Sequence, residues 1–319
     1  MKKALITGIH GQDGSYLAKF LLEKGYNIKG VLRENELKNL FRHNYLNIKD
    51  KIHYSTVNLL NEKEVELLIK DYQPDEIYNL AAISSVGISF EYPEKTINNN
   101  NKIIMNILKS LRKINKDLKL YQAASSEMYG NPPELPVTLN TPLKPISPYG
   151  ISKSFGYRAV NKYRNLYNIF AVNGILFNHE SFLRDEKYFV KKLIKQSLEI
   201  KDRKREKLFL GNLNVKRDFG YSPDYIKSMW KMLQNREPKN YIVCSGESIS
   251  LENIVDYVLK KLNLKKNVVE IKKSLYRPAE IKNVYGDNTK AKTELGWKYN
   301  KSFYDILDIL IEEERKYLK

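Results

Sequence analysis

Two short segments of the chain contain residues whose types and spacing suit the oxidation of an alcohol. Gly8, Gly11 and Gly14 form a glycine turn, and Tyr149 and Lys153 lie one helical turn apart. A glycine turn of this kind can hold the pyrophosphate of a dinucleotide, because the backbone can approach the ligand closely. A phenol beside an ammonium has a lowered pKa and can take a proton from a hydroxyl group.

Ser125 and Glu127 add a hydroxyl group and a carboxylate between these two segments. Oxidation of an alcohol does not need a carboxylate, so Glu127 suggests a reaction that continues to the elimination of water. Both residues follow a predicted strand at 118–124, and residues two apart on a strand point to the same side. Taken alone, however, Glu127 is better explained as the cap of a turn before Gly130.

The glycine turn has the sequence context that a dinucleotide site requires. It follows a predicted strand at 3–8 and opens a predicted helix at 14–24, which offers free N–H groups and a partial positive charge. A second predicted strand ends at Leu32, where an acid would hold a ribose 2′-hydroxyl and an arginine a 2′-phosphate. Arg33 and Glu34 are both present there, so these residues leave NADP and NAD open.

Strands and helices alternate through the first half of the chain. This alternation predicts an α/β fold, a Rossmann-type doubly wound parallel sheet covered on both faces. Further strands are predicted at 27–32, 52–57, 76–80 and 170–177, with helices at 62–70, 96–114 and 149–167. After residue 178 the pattern loosens into helices at 188–200, 222–235, 250–262 and 301–317, with short strand-like segments such as 241–244. We expect a dinucleotide-binding domain with the catalytic residues at 1–177 and a smaller α/β substrate-binding lobe at 178–319, some segments of which return to the first domain.

The composition is that of a globular protein: 42% of the 319 residues are hydrophobic and 29% are charged. No apolar run is long enough to span a bilayer, and the single cysteine, Cys244, rules out an intramolecular disulfide. We therefore expect a cytoplasmic protein without a membrane partner. The four histidines have no metal-ligand spacing, so no metal is expected. The net charge of +18 favours anionic ligands, and a nucleotide diphosphate satisfies it without nucleic acid.

Several sequence runs together resemble the GDP-mannose 4,6-dehydratase family, part of the extended short-chain dehydrogenase/reductase superfamily. The similarity extends over nearly the whole chain. It rests on the runs at 5–9, 11–17, 125–130, 147–149, 173–181, 210–213, 217–218 and 277–280. The run Asn173-Gly174-Ile175-Leu176-Phe177-Asn178-His179-Glu180-Ser181 is the most specific to the family.

The resemblance implies a role for each catalytic residue. Tyr149, with Lys153 lowering its pKa, would take the proton of the sugar 4-hydroxyl while a hydride leaves C4. Glu127 would remove the C5 proton and assist the loss of water across C5–C6, after which the hydride returns to C6. Ser125 stands where the family has threonine and would hold the 4-oxygen.

The resemblance also implies the binding residues. It assigns the cofactor, NADP with NAD left open by Glu34, to Gly8, Gly11, Gln12, Asp13, Gly14, Arg33, Asn58, Leu59, Tyr149 and Lys153. It assigns the substrate, a GDP-linked sugar, to Ser84, Ser126, Asn178, Glu180, Arg217, Arg277 and Glu280. Family members commonly pair through the helix carrying Tyr149 and Lys153, so a homodimer or homotetramer is expected.

The chain departs from the family pattern at positions near the cofactor and the sugar. An Arg-Arg-Ser-Ser stretch reads Arg33-Glu34-Asn35-Glu36, and a histidine beside Ser84 is Ser85. A Ser-Pro-Arg-Arg-Gly stretch reads 181–185 here, with Phe182 and Leu183 expected near the sugar or the pocket rim. We therefore expect the sugar to be mannose or a related hexose, N-acetylhexosamine or heptose.

Two other functions remain open from the sequence. A 4-ketohexose reductase or C4 epimerase of the same superfamily would share the glycine turn, Tyr149 and Lys153, but would not need Glu127. A non-catalytic nucleotide- or nucleic-acid-binding protein would fit the charge, but would have no use for all three side chains.

Overall fold

A computed structural model describes residues 1–114 and 117–318. The strands are β1 Lys3–Thr7, β2 Asn27–Val31, β3 His53–Ser55, β4 Glu76–Asn79, β5 Lys119–Ser125, β6 Ala171–Leu176, β7 Asn178–Glu180, β8 Leu208–Leu210, β9 Lys216–Arg217, β10 Phe219–Tyr221, β11 Tyr241–Val243, β12 Ile249–Ser250, β13 Val269–Ile271 and β14 Asn283–Val284. The α-helices are α1 Gln12–Glu23, α2 Phe41–Tyr45, α3 Glu62–Tyr72, α4 Val86–Glu91, α5 Pro93–Ile114, α6 Pro148–Tyr167, α7 Phe189–Lys201, α8 Ser222–Gln234, α9 Leu251–Leu262, α10 Thr289–Leu295 and α11 Phe303–Leu318.

Seven parallel strands form the central sheet, in the order β11-β6-β5-β4-β1-β2-β3. The strand order reverses between β1 and β4, which makes the switch point where doubly wound folds bind ligands. β4 and β6 are buried along their whole length because helices cover both faces of the sheet. The predicted Rossmann-type architecture is confirmed.

Two hydrophobic clusters hold helices against opposite faces of the sheet. Leu17 and Leu21 of α1 belong to one cluster together with Met229 of α8. The other cluster joins α3 and α5 to the sheet through Val65 and Ile104. Since α1 and α8 pack on the same face, the second half of the chain contributes directly to the support of the glycine turn.

The segments after residue 177 form small sheets as well as helices. β7 pairs with β10, β9 lies between β12 and β14, and β8 pairs with β13. β11 lies in the central sheet, beside β6. Within the described residues, no helix is both long enough and apolar enough to cross a membrane.

Candidate active site

A cavity of about 740 Å³ lies at the carboxyl ends of the central strands. The sequence-predicted residues that line it are Gly8, Gly11, Gln12, Asp13, Gly14, Ser84, Ser125, Ser126, Glu127, Tyr149, Lys153, Asn178, Glu180, Arg217, Arg277 and Glu280. Residues far apart in sequence are thus collected in one space. Arg33, Asn58 and Leu59 do not line this cavity; Arg33 follows the end of β2, and Asn58 caps its own loop by accepting a hydrogen bond from the Leu60 N–H at 3.1 Å.

The turn between β1 and α1 has a geometry that only glycine fits. Gly8 has a φ of +68°, and a Cβ there would lie 2.8 Å from the backbone nitrogen of Ala81. A Cβ on Gly14 would lie 2.6 Å from the carbonyl oxygen of Gly8 and 2.6 Å from the Cα of Ile9. The turn is therefore closely packed against neighbouring backbone, and its glycines line the cavity at the start of α1. Its N-terminal N–H groups fit the pyrophosphate of a dinucleotide.

Asp13 connects the glycine turn to the second half of the chain. Its Oδ2 lies 2.8 Å from Nε2 of His179, and its Oδ1 accepts a hydrogen bond from the Ser222 hydroxyl at 2.9 Å. Burial raises the pKa of Asp13, but the charge and hydrogen bond of His179 outweigh it and hold this pKa well below its usual range. Gln12 has a similar position, since it donates to the His179 carbonyl and accepts from the Ser181 hydroxyl. Both side chains thus fix the turn in place.

Tyr149 and Lys153 lie in the first turns of α6. Ser147 caps this helix by accepting a hydrogen bond from the Gly150 N–H at 3.0 Å, and Pro148 occupies the first turn. The Lys153 ammonium donates to the Ala123 carbonyl at 2.7 Å and lies 5.6 Å from the centre of the Tyr149 ring. Burial lowers the pKa of Lys153 to about 8.

Burial raises the pKa of Tyr149 above its ordinary value, although a hydrogen bond with Ser125 opposes the rise. This direction is opposite to the expected effect of Lys153. The reason is that the phenol is enclosed by protein, while the ammonium is held on the Ala123 carbonyl at the end of β5. The two side chains do share one helix face, as the spacing predicted.

Glu127 does not lie on a strand. The prediction that its side chain points to the same side as Ser125 because of the alternation along a strand therefore had the wrong basis. β5 ends at Ser125, and residues 126–128 form a 3₁₀ turn in which the Glu127 N–H donates to the Ser125 hydroxyl at 3.3 Å. The turn still brings both side chains into the cavity. Burial raises the pKa of Glu127, and the charges of Arg217 and Arg277 oppose this rise. A carboxyl group with a raised pKa suits proton transfer in both directions.

Arg217 and Arg277 converge on one carboxylate. Arg217 Nη2 lies 3.5 Å from Oε1 of Glu280, and Arg277 Nη1 lies 3.3 Å from the same oxygen. Arg217 is buried in β9, whereas Arg277 is exposed. Both guanidinium groups also influence Glu127 electrostatically, so this arginine pair borders that carboxyl group.

The prediction that Phe182 and Leu183 lie at the pocket rim was wrong. Phe182 and Leu183 are only 2% and 1% exposed and lie in the hydrophobic core. Phe182 packs against Phe41 of α2 and Tyr317 of α11, with ring centroids 6.3 and 5.3 Å away. These aromatic contacts turn the two side chains away from the cavity.

Arg184 and Tyr188 line the cavity instead. The Arg184 guanidinium lies 3.6 Å from the centre of the Tyr188 ring, and its Nε is 3.6 Å from Oε2 of Glu180. Both residues influence the pKa of Tyr149, which places them near its phenol. The only signal in the sequence was their position in a stretch that departs from the family pattern.

The fold and the site together define a protein of the extended short-chain dehydrogenase/reductase type. Solved structures with this fold include the UDP-glucuronic acid 4-epimerase from Bacillus cereus (TM-score 0.86, 25% identity, 99% of each chain). Another is the dTDP-glucose 4,6-dehydratase from Bacillus anthracis (TM-score 0.86, 20% identity, 99% of this chain and 97% of that one).

The family itself follows from comparison of sequences. The family model for GDP-mannose 4,6 dehydratase matches residues 5–310. GDP-mannose 4,6 dehydratase 2 of Arabidopsis thaliana is 40% identical over all of this chain and 88% of its own length. The human GDP-mannose 4,6 dehydratase is 36% identical over 98% of this chain and 91% of its own. The chain belongs to the GDP-mannose 4,6-dehydratase family, as the sequence runs indicated.

Proposed function

We propose that the chain is a GDP-sugar 4,6-dehydratase, a hydro-lyase that converts a GDP-hexose into a GDP-4-keto-6-deoxy sugar. The observation that supports it best is the position of Glu127. This carboxylate lies in one cavity with Ser125, Tyr149 and Lys153, where a simple alcohol oxidation would leave it unused. The names of the relatives agree with this activity.

The residues present fit an NAD(P) cofactor at the glycine turn, because Gly8, Gly11 and Gly14 line the cavity at the N-terminus of α1, where free N–H groups suit a pyrophosphate. When bound, NAD(P) would supply the acceptor for a hydride from C4 and the donor of a hydride to C6. Gln12 and Asp13 hold the turn, and Tyr149 and Lys153 border the same space. We also assign Arg33, Asn58 and Leu59 to the adenosine end.

The chain's own residues perform the proton transfers. The Ser125 hydroxyl holds the sugar 4-oxygen, and Tyr149 takes the 4-hydroxyl proton. Once C4 is a ketone, the C5–H bond is acidified, and Glu127 removes that proton. The C6–O bond then breaks, and Glu127 gives its proton to the leaving hydroxide. When the hydride returns to C6, C5 takes up one proton, which balances the proton that Tyr149 took from the 4-hydroxyl. One molecule of water leaves in total, and the sugar undergoes no net oxidation or reduction.

Cationic side chains support a nucleoside diphosphate, and membership of the family supports GDP. We assign its phosphates to Arg217 and Arg277, oriented by Glu280, with Asn178 at the edge of β7. Ser84, Ser126 and Glu180 are assigned to the sugar. Because Arg184 and Tyr188 replace the expected rim residues, a GDP-linked N-acetylhexosamine or heptose is a second candidate for the substrate.

Replacement of Glu127 by glutamine tests the reaction type. The wild-type protein should remove one water from a GDP-sugar, detected as the mass of the product. Glu127→Gln should abolish this loss but still oxidise C4 in part, seen as absorbance of the reduced dinucleotide, because Ser125 and Tyr149 remain. Dehydration near the wild-type rate in Glu127→Gln would contradict the proposal. A panel of GDP-mannose, GDP-N-acetylhexosamine and GDP-heptose then identifies the sugar.

We further propose a homodimer or homotetramer that pairs through α6. Ile151 and Phe155 support this, since these apolar side chains of α6 are 44% and 41% exposed on the isolated chain. Light scattering on the wild type and Phe155→Glu tests the interface.

We also propose that the enzyme lies in the cytoplasm and that the chain divides into domains at 1–177 and 178–319. Cell fractionation and limited proteolysis, respectively, would test these two assignments.

A further inference from the structure

The segment that follows β2 borders the adenosine end of the glycine turn. The Gly8 N–H donates to the Val31 carbonyl at 3.1 Å, so β2 ends beside the turn, and Arg33 and Glu34 come almost directly after it. His10 of the turn also contacts this segment, with Nε2 2.6 Å from the Asn39 carbonyl oxygen. In Rossmann folds, residues at this point meet the 2′ position of the adenosine ribose.

The Arg33 guanidinium is already bound by a carboxylate of the same segment. Its Nε and Nη2 donate to Oε1 of Glu36 at 2.9 and 2.6 Å. The Arg33 backbone N–H donates to the other oxygen, Oε2, at 2.8 Å. Burial raises the pKa of Glu36, but the hydrogen bonds from Arg33 lower it overall, so the carboxylate stays ionised at neutral pH.

The second arginine near this end is also engaged. Arg42 is largely enclosed, and its Nε donates to the Leu183 carbonyl at 2.8 Å and its Nη1 to the His10 carbonyl at 3.3 Å. These bonds use Arg42 to hold backbone segments together. Binding a phosphate would require Arg42 to give up those contacts.

The charge of the segment adds to this effect. Residues 33–36 contain one arginine and two glutamates. A 2′-phosphate would carry up to two further negative charges into this region, whereas a 2′-hydroxyl is neutral and can donate to a carboxylate. In Rossmann folds, a carboxylate at this position accepts a hydrogen bond from the ribose 2′-hydroxyl.

We propose that this chain selects NAD over NADP, with Glu34 offering a carboxylate to the ribose hydroxyl and Glu36 keeping Arg33 from a 2′-phosphate. This inference rests on the proposed function, which supplies the dinucleotide, and adds which dinucleotide is bound.

The nucleotide retained by the purified protein gives the first test. Extraction and mass spectrometry should recover NAD or NADH from the wild type. After removal of that nucleotide, fluorescence titration should give an NADH Kd about tenfold below the NADPH Kd.

Variants then test the two carboxylates. Glu36→Gln should tighten NADPH by about threefold to tenfold and leave NADH unchanged, because Arg33 is released. Glu34→Gln should weaken NADH. Glu237→Gln is the matched control, since it removes the same charge from an exposed residue whose neighbour is Lys239, at 3.9 Å.

Two outcomes would overturn the inference: a wild-type protein that binds NADPH as tightly as NADH, or a Glu36→Gln variant that behaves like Glu237→Gln. Failure of the proposed function is a different result. A protein that binds either dinucleotide but removes water from no GDP-sugar contradicts that function, whereas dehydration with an NADPH preference contradicts only this inference.

Discussion

The phenol oxygen of Tyr188 lies 3.0 Å from the hydroxyl oxygen of Ser84, although 104 positions separate the two residues. The contact joins the loop before α7 to the loop before α4 at the edge of the cavity. Ser84 is exposed, and the Tyr188 ring is covered on one face by Arg184. A single hydrogen bond therefore joins the two loops on this side of the cavity.

Removal of this bond should weaken substrate binding. Tyr188→Phe and Ser84→Ala should each raise the KM for the GDP-sugar about threefold to tenfold, the worth of one hydrogen bond. The value of kcat should change less, because neither residue is assigned a proton transfer. The double variant should be no worse than Ser84→Ala alone, since Tyr188→Phe removes a bond that Ser84→Ala has already removed. Steady-state kinetics of the three variants complete the double-mutant cycle, and Tyr304→Phe is the control. Fully additive increases in KM would exclude the Ser84–Tyr188 contact as their cause.

Glu280 should set the pH at which Glu127 works. Its negative charge raises the pKa of Glu127, and it also engages Arg217 and Arg277. Glu280→Gln removes that charge, so the pKa of Glu127 should fall. The acidic limb of the kcat profile, below which Glu127 is protonated, should then move to lower pH. Glu237→Gln should leave the limb in place, and an unmoved or raised limb in Glu280→Gln would contradict this assignment.

Two glycines should respond in opposite ways to alanine. Gly14→Ala would place a Cβ 2.6 Å from backbone atoms of Gly8 and Ile9, so the turn must shift and dinucleotide binding should be lost. Gly156 in α6 has only ordinary contacts, at 3.7 Å or more. Gly156→Ala should keep nucleotide binding and raise Tm by about 1–3 °C. Calorimetry and nucleotide titration measure both, and retained binding in Gly14→Ala would show that the turn tolerates a side chain.

The Asp13–His179 pair should make stability depend on pH. The pKa of Asp13 is lowered, so its contribution is present above the ordinary value of 3.8 and is lost as the pH falls. Burial lowers the pKa of His179, but Asp13 raises it overall; this contribution is full below the ordinary value of 6.5 and is lost as the pH rises through the raised value.

The pair is therefore strongest between about pH 4 and pH 6.5. His179→Gln should lower Tm by about 3–8 °C at pH 6 and by less at pH 9. Thermal unfolding without nucleotide at both values measures the difference. An equal loss at both pH values would mean that His179 acts through packing alone.

The central sheet was predictable because its evidence is local. The first six strands alternate along the chain with helices and turns, and each was predicted within a few residues of its bounds. The seventh strand, Tyr241–Val243, was recognised as a strand but not as part of this sheet, because its pairing with β6 is a long-range contact. The short helices α4 and α10 were missed, since six or seven residues give too little periodicity to detect.

The site was predictable where the backbone alone sets direction. Ser125 ends a strand and Tyr149 begins a helix, so their meeting follows from the topology. The directions of Phe182 and Tyr188 depend instead on partners such as Phe41 and Tyr317, which are remote in sequence. The pKa of Tyr149 was also beyond reach, because burial by the whole site outweighs its neighbour Lys153.

Two separate sets of packing contacts hold the two sides of the cavity. Ser125, Glu127 and Tyr149 are fixed by β5 and α6 in the sheet, whereas the loop bearing Arg184 and Tyr188 is anchored by Phe182 on α11 and by an ion pair between Lys191 and Glu314. Mutations at Phe182, Lys191 or Glu314 can therefore move Arg184 and Tyr188 while Ser125, Glu127 and Tyr149 keep their positions. In such a chain, the specificity for the sugar can change while the catalysed reaction stays the same.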